Sequence, residues 1–306
     1  MDWKRARTIF TVCALSASFV LGGCGLTTNG TKQAQSENVS PYIPVQDYVG
    51  QGYSLPNGEK TGEFAKTHRK EIIDQVNKFF KDKYDLEVTT HNLVGATNAV
   101  VAFVESKGEP HFHTSVIVGV DLANQKVTGN VWANEGAVEG AITSGLYEMA
   151  YEEEFRNLDR FAEAVVKKYP VIGMPQQMIN HTVNVGYAAP YYSLSTSELN
   201  FPEAYKAFMN NHNISKQELR TLIQKQPFDK NGIDISLTFF MKEKHASSNQ
   251  KIANEVIVEF KKLKKIAPGN YGVFIQSNDI IKRTGTEKNY KGTIPDKTDI
   301  IKIPGN

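Results

Sequence analysis

"EFAKTHRKEIIDQVNKFFKDKYD" (residues 63–85), with the runs "LEVTTHNLV" (86–94), "NAVVAFVES" (98–106) and "HFHTSVIVGVD" (111–121) behind it, decides the fold. In the first segment Phe64, Ile72, Ile73, Val76, Phe79 and Phe80 recur at helical spacing with Lys and Asp on the other side, which predicts an amphipathic helix. The next three runs read as strands, and "LANQ" (122–125) turns the chain into a fourth, "KVTGNVW" (126–132). A helix followed by an antiparallel meander is an α+β arrangement in which the helix covers one sheet face.

Beyond this centre the helical pattern returns over 135–169, as two helices or one bent one, and stops at Pro170. Residues 171–200 read as irregular, punctuated by Gly173, Pro175, Gly186 and Pro190, with one strand in "MINHTVNVGY" (178–187). Short helices over 202–211 and 215–225, a strand over 233–242, a helix over 248–265 and a strand over 271–278 follow. The polar tail after Lys282 reads as loosely ordered. The expected fold class is thus α+β, an antiparallel sheet packed by helices, with helix and strand recurring in the second half as in two similar subdomains, though no internal sequence repeat marks them. The boundaries drawn are 1–23, 24–40, 41–170 and 171–306.

The first 24 residues, "MDWKRARTIFTVCALSASFVLGGC", have the three parts of an export signal: a basic start, an apolar run from Ile9 to Leu21, and small residues before the cut. A membrane span needs about 20 predominantly apolar residues, and this run is shorter and interrupted by Thr and Ser. Leu21-Gly22-Gly23-Cys24 resembles the bacterial lipobox. The resemblance implies a diacylglyceryl group on Cys24, cleavage after Gly23, and a protein held by lipid on the extracytoplasmic face of the cell membrane; two acyl chains anchor stably where one does not. Residues 25–40 are polar and read as a tether.

Removal of the leader changes the charge reading. The chain has 35 Lys+Arg and 33 Asp+Glu; residues 1–23 carry three of the former and one of the latter, leaving 32 of each. A neutral mature chain gives no support for nucleic-acid binding. Cys13 leaves with the leader, so Cys24 is the one cysteine kept and no intramolecular disulfide forms.

Ser40–Gly58, "SPYIPVQDYVGQGYSLPNG", has prolines that disfavour helix and tyrosines that need packing, and reads as an extended arm across the domain. With the lipobox, the run Pro41-Tyr42-Ile43-Pro44-Val45-Gln46-Asp47-Tyr48 and "GYSLPNG" (52–58) resemble an uncharacterised lipoprotein family of low-GC Gram-positive bacteria, a domain of unknown function. The resemblance implies a cellular address and no activity.

Candidate chemistry is sparse. His111 and His113, two apart on a strand, face the same way, but a metal site needs a third ligand and His68, His91, His181, His212 and His245 show no ligand spacing, so no metal is assigned. The carboxylates of "YEEEFRNLDR" (151–160) read as a solvated helix face with Glu152 paired to Arg156. There is no Gly-x-Ser-x-Gly elbow or phosphate-binding loop, and Ser248/Lys251 lack the companion motifs of Ser-x-x-Lys enzymes. No catalytic residue and no cofactor is assigned. Two surface features remain as candidate binding residues. Tyr187, Tyr191 and Tyr192 lie in a Pro-containing loop. Lys261, Lys262, Lys264 and Lys265 lie at a helix end in a region, 242–306, with 13 Lys+Arg against 7 Asp+Glu. The expectation is a binding or interaction module facing an envelope protein or polymer; the other classes are an envelope enzyme assembled from distant residues and a solute-binding transport subunit.

Overall fold

The computed structural model describes residues 40–184, 186–226, 232–288 and 301–303. The leader, Cys24 and the tether up to residue 39 lie outside the described residues. Among the described residues no helix is long and apolar enough to cross a membrane.

The arm begins with β1 (Tyr42–Pro44). The expected first helix is two: α1 (Glu59–Thr67) and α2 (Arg69–Tyr84), broken at His68, whose ring stacks on Phe64. Along α2, Ile72, Val76, Phe80 and Tyr84 are buried at spacings of four residues, while Ile73 and Phe79 stand at the half-buried margin. The meander follows as expected: β2 (Val88–Ala96), β3 (Ala99–Ser106), β4 (His113–Asp121) and β5 (Lys126–Trp132) form one antiparallel sheet in chain order. Val100, Ala102 and Val104 of β3 and Val116 and Val118 of β4 alternate onto the core face covered by α2.

Next comes α3 (Ala137–Ala150), buried on nearly every side, and after a break at Tyr151 the amphipathic α4 (Glu152–Lys168). Close approach of α3 to the β3–β4 connection requires Gly145, where a Cβ would stand 2.6 Å from the His111 carbonyl oxygen. The short β6 (Val171–Ile172) leads to α5 (Gln176–Thr182), which corrects the strand expected over 178–187. Pro175 precedes the first helical residue, and Met178 and Ile179 are buried. The tyrosine stretch is likewise no loop: β7 (Tyr187–Ala189) and β8 (Tyr192–Thr196) form a hairpin with Pro190 in its turn.

After α6 (Pro202–Asn210) and α7 (Lys216–Lys225) come β9 (Ile233–Met241), α8 (Gln250–Phe260) and β10 (Gly269–Gln276). β9 is central: it pairs antiparallel with β8 and β6 and parallel with β10, with α8 as the crossover. The two halves therefore differ in topology, a pure meander against a mixed sheet. β11 (Asp279–Ile281) pairs with β1, and the described parts of the tail beyond it add strands where loose chain is expected: β12 (Thr286–Glu287) pairs with β11, and β13 (Ile301–Ile303) pairs with β10.

One buried cluster draws on α2, β3, β4, α3, β8, β9 and β10, so both halves share a core. On the opposite face of β9, Phe240 packs with Val45, Tyr48, Met178 and Ile280 in a second, smaller cluster. There the arm docks: Val45 N donates to Asn278 O at 2.8 Å, and the Tyr48 hydroxyl donates to Lys282 O at 2.7 Å.

Candidate functional site

The register of β3 and β4 sets Glu105 directly opposite His113. Phe112 points into the core, so His111 and His113 on either side of it face the other way, toward Glu105. On the third strand the register slips between Thr90 and Asn92, leaving His91 as the extra residue of a bulge. A bulge re-aims a side chain, and here it brings His91 Nε2 to 2.7 Å from Glu105 Oε2. His111 Nε2 lies 2.8 Å from Glu105 Oε1. His113 Nε2 is 3.9 Å from that oxygen, too far for a hydrogen bond, and its ring is 1% exposed. Neither ring nitrogen of His113 makes a hydrogen bond of good geometry among the described residues, and the polar side chain of α5 that comes beside the ring is Asn180.

This cluster occupies the seam between the two large sheets. His113 N donates to Gly186 O at 2.7 Å, and Gly186 N returns a bond to His113 O at 3.0 Å, tying β4 to the start of the tyrosine hairpin. Gly186 has φ +84, and a Cβ there would stand 2.6 Å from Ser144 Oγ of α3, so glycine is required. From α5, His181 O accepts from Asn92 Nδ2 at 2.9 Å. Tyr187 meets the His111 ring edge-on at 5.5 Å, and the rings of His111 and His113 are 5.1 Å apart.

Burial alone would raise the Glu105 carboxyl, but hydrogen bonds from His111 and His91 and the nearby His113 outweigh it and hold the group below its ordinary value. Burial, with the His111 charge beside it, pushes His113 down to about 4. The site thus sets a carboxylate that its imidazole neighbours hold in the ionised form beside an imidazole that burial holds in the neutral form. One donor atom from each of Glu105, His111 and His113 lies within 4.8 Å of the others. Sulfur is absent from this donor set, which has the mixed nitrogen and oxygen character that borderline divalent cations favour.

The sequence reading placed His111 and His113 on one face but lacked Glu105 and His91. The usable signal was a lone acid in an apolar strand, on the far side of a short connection from the histidine pair. Of the expected tyrosine surface, only Tyr187 reaches the cluster. Tyr192 is buried, its hydroxyl donating to Asp159 Oδ1 at 3.0 Å, and half-buried Tyr191, in the hairpin turn, stacks on Phe239. Lys261, Lys262, Lys264 and Lys265 are exposed, but α8 ends at Phe260 and they occupy the connection to β10, elsewhere on the chain. Glu152 pairs with Arg156 at 2.6 Å, as its spacing predicts, and Glu154 takes a two-pronged contact from Arg220 at 2.6 and 3.0 Å. The two best-formed surface recesses, about 600 and 460 Å³, flank α1 and include no residue of the cluster.

A crystal structure of a DUF1672 family protein from Staphylococcus aureus subsp. aureus Mu50 is similar in fold, with a TM-score of 0.68 and 21% identity over 87% of this chain and 97% of that one. No curated protein matches the chain. The profile of the family described as "Protein of unknown function (DUF1672)" matches residues 35–302, nearly all of the described fold, and the chain belongs to that family.

Proposed function

We propose that this protein is an exported lipoprotein, held by a diacylglyceryl group on Cys24 at the extracytoplasmic face of the cell membrane, and that it works there as a binding module. The observation that carries the reading is Leu21-Gly22-Gly23-Cys24 behind a basic and apolar leader. Residues 25–39 then separate the lipid from the arm. The exposed Lys261, Lys262, Lys264 and Lys265 suit anionic headgroups near that anchor, where each cation adds about 1 kcal/mol.

A second reading, an envelope enzyme, draws support from the convergence of Glu105, His111 and His113. Against it stands the burial of His113, which favours holding a small species over turning over a large one. Fractionation of cells expressing wild type and Cys24→Ala tests the anchor. The wild type is expected in the detergent phase and the variant in the aqueous phase; identical partition of the two overturns the proposal. Crosslinking on intact cells then reads the partner: recurrent capture of one envelope protein or polymer supports an interaction module, and random neighbours alone count against it.

A further inference from the structure

We propose that Glu105, His111 and His113 form a site for one borderline divalent metal ion of the zinc class, with His91 holding the carboxylate ligand from behind.

Three independent features converge on it. The first is the donor set: two imidazoles and a carboxylate with their donor atoms within 4.8 Å of one another, a combination that suits zinc and its neighbours and suits magnesium or calcium poorly. The second is His113. A buried imidazole ordinarily finds a partner for at least one ring nitrogen, because a buried polar atom left without one loses the bonds it made to water. His113 makes no hydrogen bond of good geometry among the described residues, has the Asn180 side chain beside it, is 1% exposed, and its Nε2 lies 3.9 Å from Glu105 Oε1. Two ligand atoms each about 2.0–2.2 Å from a tetrahedral zinc ion stand about 3.3–3.6 Å apart, so the two side chains close by a few tenths of an ångström on binding. The third is the division of labour on Glu105. Oε1 faces His111 and His113, while Oε2 accepts from His91 Nε2 at 2.7 Å. Carboxylate ligands in metal sites are oriented by such outer hydrogen bonds, and the bulge in β2 supplies this one.

Binding rearranges one hydrogen bond. His111 Nε2 is hydrogen-bonded to Glu105 Oε1; to offer that nitrogen to the metal the ring carries its proton on Nδ1, and the bond to Oε1 gives way to coordination. Three protein ligands leave further coordination positions for water or a partner's donor. The edge of Tyr187 borders His111 on the hairpin side.

The site does not depend on the lipid anchor, and its test is separate. The full chain, purified in detergent and stripped with a chelator, is titrated with Zn²⁺ calorimetrically, and Co²⁺ is added in parallel for its visible ligand-field absorption. One equivalent of Zn²⁺ per chain is expected, with a raised melting temperature that chelator reverses. Glu105→Gln and His111→Ala, both at partly exposed positions, are expected to weaken Zn²⁺ by more than a hundredfold, and His91→Ala by about 10–100-fold. His212→Gln, on a ring that stacks on Phe208 outside the cluster, is expected to bind as the wild type does. Thermal unfolding of the metal-free variants establishes that each is folded. No stoichiometric Zn²⁺, or equal affinity in wild type, Glu105→Gln and His111→Ala, overturns the proposal.

Discussion

Glu105 and Glu148 are both withdrawn from water, and their neighbours decide their charge in opposite ways. Two imidazole N–H donors keep Glu105 ionised. Glu148, half-buried on α3, has only the more distant Lys216 against burial and the charges of Glu152, Glu109 and Asp159, and is pushed up to about 7 from 4.5. The folded state therefore keeps a proton that the unfolded chain gives up near pH 4.5, and the associated stability is present below 4.5 and lost as pH rises through 7. Glu148→Gln is neutral at every pH. Urea unfolding should show the variant gaining on the wild type by up to about 3 kcal/mol between roughly pH 4 and pH 8. The same wild-type-to-variant difference at both pH values would contradict this reading of Glu148.

Among the elements, the arm is held to the fold by residues of β9, β11 and the segments beside them. Among the described residues β1 pairs with the three-residue β11 alone, and Tyr48, fully buried, anchors the turn that follows. Tyr48→Ala removes that ring and its bond to Lys282 O, a loss of about 3–5 kcal/mol. Amide exchange should then quicken at Ile43, Val45 and Lys282 while the β3 and β4 amides stay protected; uniform loss of protection would show that the arm is not a separable unit. Legibility also varied by element. The meander could be read because alternating Val, Ala and Phe leave one face apolar, and α2 because its buried side chains fall four apart. The break at His68 carries no Gly or Pro to announce it. α5 was misread because Ile179, Thr182 and Val183 are β-branched; burial of Met178 and Ile179 outweighs that preference. The hairpin was misread because Pro190 suggests a loop, and it sits in the turn, where it removes no ladder bond.

Across the whole molecule, α3 and the His113–Gly186 bridge join the meander to the mixed sheet, and the polar cluster lies where they meet. That explains how much of the site the sequence carried. The shared face of His111 and His113 follows from a period of two. The Glu105–His113 pairing depends on the β3–β4 register, and the approach of His91 depends on a bulge that no residue in β2 signals. The burial of the His113 ring comes from elements far along the chain, Gly186 among them. X-ray absorption at the zinc edge, on the full chain loaded with one equivalent, tests the assignment most directly. The account predicts a first shell of nitrogen and oxygen at about 2.0–2.2 Å with the outer scattering of two imidazoles. A shell of oxygen alone, without imidazole scattering, would contradict it.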